Sequence, residues 1–147
     1  MEKMDRKLEE QVKSRVKNGW IRVGMMIEAM AISRETASSA LKKHVEKMEK
    51  EKGVLVYKKE CKGVEEVKKP LPNIEKGYCE IFDVEMIVEN FDRLVYIVLN
   101  YGPSAIEILE PHNITMNLGE AQGILNSLAM LVHTFAAMGA GGMIVST

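Results

Sequence analysis

Cysteine is scarce in this 147-residue chain. Cys61 and Cys79 are the only two, too few for the disulfide framework that staples small secreted domains. The first eighteen residues are mostly charged, so no signal peptide is expected and a cytoplasmic location is. Histidine is nearly as rare. His44, His112 and His133 are never three or four residues apart, which leaves no helical metal-ligand pair, and neither a metal nor a cofactor is expected. His44 reads as an exposed helix residue and His133 as a hydrogen-bonded core or interface residue. A Ser/His/Asp arrangement, a P-loop and a GxGxxG turn are all missing. Gly139 to Gly142 follows an apolar segment instead of opening a helix, so it offers no helix N-terminal amides to a phosphate. Catalysis is not expected.

Positive charge is missing from half of the chain. Residues 1–76 hold nineteen of the twenty Lys and Arg against thirteen acidic residues, a net +6, whereas residues 77–147 hold only Arg93 against eight, a net −7. This split points to a basic part that faces a polyanion and an acidic part that faces something else. From Ala121 to Thr147 no residue is formally charged. A membrane span is disfavoured there by Gly123, Asn126, Ser127, His133 and Thr134 and by the lack of basic flanks. A helix buried on nearly all sides, partly by a second copy of the chain, accounts for the stretch better.

Hydrophobic spacing supplies the elements. Met4, Leu8, Val12 and Val16 recur every four residues and predict a helix over 2–18, ended by Asn18-Gly19, with Trp20 in the core. Trp20-Ile21 reads as a very short strand. Met26, Ile27 and Met30 at one-turn spacing predict a helix over 23–30, Ala31-Ile32-Ser33 a turn, and Ser33 an N-cap. A second helix then runs from Arg34 to about Lys52. Its buried stripe is Ala37, Ala40 or Leu41, Val45 and Met48. Its other face is Arg34, Glu35, Thr36, Ser38, Ser39, Lys42 and Lys43, short, polar and basic enough to enter a major groove. Gly53 is a C-cap candidate. Val54–Cys61 and Tyr78–Phe82 read as strands flanking a basic loop, Lys62 to Gly77.

Residues 20–82 resemble a winged helix-turn-helix domain of bacterial and archaeal transcription regulators. The resemblance lies in Ile27 to Met30, Ile32-Ser33-Arg34-Glu35-Thr36, the pair Ala40-Leu41 and the hairpin led by Gly53. It implies a recognition helix with Arg34, Thr36, Ser38 and Ser39 as base-edge candidates and Ser33 at its start. Arg22, Lys42 and Lys43, with the wing lysines Lys62, Lys68 and Lys69, would meet phosphates.

Downstream, Val84 to Leu99 predicts a helix over 83–101 capped by Asp83. Ser104–Leu109 and Ile114–Met116 read as short strands. Asn117 caps a last helix over 118–138, and Met143–Val145 forms a short tail, strand or frayed. Phe91, Leu94, Val98, Leu125, Leu128, Leu131 and Phe135 are the expected dimer interface, setting two recognition helices about one DNA turn (~34 Å) apart. The expected fold is therefore α+β and mainly helical: a winged helix-turn-helix domain over 1–82, then a helix–strand–helix dimerisation region over 83–147. The expected function is a homodimeric, sequence-specific double-stranded DNA-binding transcription regulator. The alternative is a winged-helix interaction or scaffold module, favoured if glutamates 35, 46, 49, 65 and 66 break the basic face. The sequence names no small-molecule effector. Cys61 and Cys79 on facing strands read as reduced thiols, or alternatively as a disulfide closing the loop.

Overall fold

A computed structural model of the chain describes residues 5–138. In chain order the elements are α1 (Arg6–Lys17), β1 (Ile21–Ala31), α2 (Arg34–Glu49), β2 (Val54–Leu71), β3 (Ile74–Val88), α3 (Phe91–Tyr101), β4 (Ala105–Glu110) and α4 (Leu118–Ala137). The expected tail strand over 143–145 lies outside the described residues.

Residues 21–31 are a strand, and this overturns the predicted helix-turn-helix. Ile21, Val23, Met25 and Ile27 are each at most 3% exposed, a period of two that buries one face of a strand. Met26 and Met30, on the other face, are what simulated a helical stripe beside Ile27. The same displacement recurs downstream. Val84, Met86 and Val88 alternate in β3, so the helix expected from Asp83 begins only at Phe91, capped by Asn90, whose Oδ1 accepts from the Arg93 amide at 2.8 Å. Residues 62–77 are no basic loop but the distal part of a long β2–β3 hairpin that turns at Pro72-Asn73. Ile114–Met116 is not a strand. The mainly helical winged-helix layout is thereby replaced by an α+β arrangement around a sheet.

That sheet has four strands in the order β2-β3-β1-β4, antiparallel at every pairing. The β1-α2-β2 unit straddles β3, and the β3-α3-β4 unit straddles β1. Two interleaved split β-α-β units are the topology of ferredoxin-like folds. α2 packs on β1, β2 and β3 and touches α3. Its buried stripe is Ala37, Leu41, Val45 and Met48, and α3 buries Leu94, Ile97 and Tyr101. α2 starts where Ser33 accepts the Thr36 amide at 3.1 Å, an N-cap legible from sequence. Among the described residues, the sheet's other side is open except beside β3, where α1 lies. Ile87 points away from α2 and α3 yet is fully buried, so that end of the open side is covered too. Trp20 is only half-buried, under the guanidinium of Arg15 at 4.7 Å.

Tyr101 ties the two sandwich helices together. Its hydroxyl donates to Glu51 Oε1 at 2.6 Å, and its carbonyl accepts from His44 Nε2 at 2.9 Å. His44 is thus half-buried and engaged, not an exposed residue free for phosphate. The chain divides into two compact units between Asn113 and Ile114. β3 runs straight through positions 82–83, and α3 and β4 belong with the sheet.

Burial, with the Glu51 hydrogen bond adding to it, pushes the Tyr101 hydroxyl well above its usual range. A raised folded-state pKa contributes stability that is fully present below the unfolded value, about 10, and is lost as pH rises beyond it. Chemical denaturation should therefore show stability declining above about pH 10. Tyr101→Phe should cost roughly 1.5–3 kcal/mol at neutral pH, as the loss of a hydrogen bond to a charged group, and should flatten that alkaline decline.

Candidate functional site

Strand parity decides where each charged side chain goes. Arg22 is on the open side of β1, the side opposite α2. Its Nε donates to Glu110 Oε2 at 3.2 Å, and its Nη1 reaches both Tyr57 Oη at 3.4 Å and Glu85 Oε1 at 3.7 Å. Glu85 also takes Lys58 at 3.4 Å, and Lys62 pairs with Asp83 at 3.3 Å and Glu60 at 3.7 Å. Arg22 and Lys62 are therefore engaged in an ion-pair lattice, which competes with any phosphate for them. With Glu107 added, the carboxylates of this face outnumber its cations. Between them lies a shallow depression of about 320 Å3, floored by Gly24 and Met26 and walled by Lys58, Glu60, Asp83, Glu85 and Glu107.

The side of the sheet that carries α2 holds the other residues expected to meet DNA. Arg34 lies over the Tyr78 ring at 5.3 Å. Ser33 and Thr36 are occupied by the cap, their hydroxyls 2.7 Å apart, and Ser38 is half-buried. Ser39, Lys42 and Lys43 are exposed, with Glu35 and Glu46 interleaved among them. In the hairpin Lys68 sits opposite Lys76, which pairs with Glu66 at 3.2 Å, and Lys69 adopts a left-handed turn conformation, φ 49°. Lys59 pairs with Glu49. Of the five glutamates that would interrupt a basic face, Glu35 and Glu46 do so directly, and Glu49 and Glu66 neutralise lysines. Glu65 pairs with Cys79 in the ladder and so falls on the opposite side. The expected recognition surface is a mixed-charge helix face.

Cys61 lies opposite Phe82 and shares its side of the sheet, whereas Cys79 lies three residues back in β3 and points to the other side. Both are free thiols, and strand parity keeps them from bonding. The Cys61 thiol donates to Glu80 Oε1 at 3.2 Å. Glu80 is 5% exposed, and its Oε2 has no partner among the described residues. No spacing in the sequence marks Glu80, because the neighbour that engages it is nineteen residues away. Burial, reinforced by Glu80, pushes the Cys61 thiol up, away from the thiolate form that nucleophilic chemistry requires.

The expected dimer-interface residues divide between two settings. In α3, Leu94 is buried in the sandwich core, and Phe91 and Val98 are half-buried. In α4, Leu125 is 62%, Leu128 41% and Phe135 47% exposed, with Leu131 intermediate. Leu118, Met130, Val132 and Met138 are exposed as well. Asn117 caps α4, its Oδ1 accepting the Glu120 amide at 2.9 Å, and Glu120 is the helix's one charged residue. No described helix is long and apolar enough to cross a membrane.

The geometry is that of an interleaved α/β sandwich followed by an exposed apolar helix, with no cluster of metal-ligating side chains among the described residues. The chain belongs to the MJ0538 family, which it matches over residues 22–138, from β1 through α4. No curated protein and no solved structure matches it. The matched stretch includes both the sandwich and the apolar helix.

The thiol geometry is directly testable. Denatured without reductant, protein from air-exposed solution should take up two alkyl groups per chain by mass spectrometry. A species carrying none, with an intramolecular bond, would contradict the strand parity described above.

Proposed function

We propose that this protein is a self-associating interaction module, in which the sandwich is the body and α4 the element through which copies join. The observation that carries this reading is the exposure of α4: large apolar side chains along a helix with a single charge. Contiguous apolar surface of this kind is characteristic of interfaces between macromolecules. Each such side chain gains about 1.5–3 kcal/mol when it leaves water, which suits stable association. The free, separated thiols agree with a cytoplasmic setting. In solution, light scattering on a sizing column should give a mass above that of one chain, and Leu128→Asp should reduce it to a single chain. A single-chain mass for the unaltered protein at every concentration would retire the reading.

Double-stranded DNA is the second reading, favoured by one observation. Arg34, Lys42, Lys43 and Lys68 share the α2 side of the sheet and have no ion-pair partner among the described residues. Joined copies would repeat that cationic group. These cations would meet the phosphate backbone, because the cap occupies the Ser33 and Thr36 hydroxyls. Anisotropy titration with a duplex at low salt should then detect binding. Lys42→Ala with Lys43→Ala should weaken all sequences alike and flatten the salt slope by about one unit for each lysine removed. No binding at low salt removes DNA from consideration.

A further inference from the structure

We infer that α4 joins three other copies of itself in a four-helix bundle, and does not merely pair with one. This rests on the self-association reading above and specifies its stoichiometry. Along α4 and its cap, Ala121, Ile124, Leu128, Leu131, Phe135 and Met138 alternate at spacings of three and four, the seam of a heptad repeat. A second apolar row, Leu118, Leu125 and Val132, lies beside that seam. In a two-stranded coil the flanking row typically carries Glu or Lys and faces water. An apolar strip three-sevenths of the helix wide is the pattern of a helix packed within a bundle.

Both rows are exposed, Met138 of the seam included at 73%. Leu118 is 85%, Leu125 62% and Val132 57% exposed, beside Leu128 at 41% and Phe135 at 47% on the seam. The far side of the helix carries Gly119, Asn126 and His133 and, beyond the exposed Met130, Glu120, Ser127 and Thr134, a surface more polar than the seam. At roughly 200 Å2 per large side chain, the seam and its flanking row expose roughly 750 Å2, close to the ~800 Å2 each partner buries in a standard stable interface. Two helices crossing at about 20° cover one seam and leave the flanking row in water, whereas four cover both. Antiparallel neighbours also keep the first-turn Glu120 carboxylates apart and oppose the helix dipoles.

Sedimentation velocity of the full chain should give four times the mass of one chain. A mass of two or three chains overturns the four-helix bundle and leaves self-association standing. A single-chain mass overturns both, and flotation of that monomer with phosphatidylcholine vesicles would assign the face to lipid. The variant carrying Leu125→Glu and Val132→Glu, on the flanking row, should fall to a dimer or below. Asn126→Glu, on the polar side, should keep the fourfold mass. A tetramer that survives the double substitution, or one abolished by Asn126→Glu, overturns the bundle.

Discussion

The position of β1 is the constraint on which the sandwich depends. It pairs with β3 along its whole length and with β4 over residues 22–26, so across that central stretch its backbone is paired on both edges. A strand held from both sides has no freedom to slip, because a shift of one residue would exchange its two faces. Ile21, Val23, Met25 and Ile27 therefore face the side on which α2 packs, and Arg22, Gly24, Met26 and Glu28 are turned the other way. Through the paired register, the same parity sets which residues of β3 and β4 join the core.

The charge distribution is a consequence of that parity. The basic half and the acidic half of the sequence do not become two separate surfaces. β1 and β2 bring Arg22, Lys58 and Lys62 onto the face where β3 and β4 present Asp83, Glu85, Glu107 and Glu110. The opposite charges then neutralise one another at 3.2–3.7 Å. Exposed pairs of this kind add little stability, and a polyanion would have to compete with the carboxylates for these cations. What remains basic is the outer side of α2 and the distal hairpin, with glutamates among the lysines.

α4 stands under a different constraint. Its backbone hydrogen bonds are internal and its N-cap is made by Asn117, so the helix is locally complete. Its large side chains are less complete: Leu118, Leu125, Leu128, Met130, Val132 and Phe135 are exposed, and Ala136 is the one buried residue of the helix. Large apolar side chains along α4 are exposed, and the family match extends through the helix to residue 138.

The local signals in the sequence determined α2 with its Ser33 cap and buried stripe, the start of β2 at Val54, the Asn117-capped last helix, and the unusual lack of charge in that helix. These depend on neighbours within about four residues. What only the tertiary structure decided was whether 21–31 and 83–88 are helix or strand. Met25, Met26 and Met30 place apolar groups in both phases, so periodicity allowed either reading, and pairing with β3 and β4 selected the strand. Long-range pairing also decided the fate of Arg22 and Lys62, the opposite orientations of Cys61 and Cys79, and the burial of Glu80 against a thiol nineteen residues away. The physical reason is the same each time: a strand's two faces are distinguished by partners distant in sequence, and only the folded sheet brings those partners together.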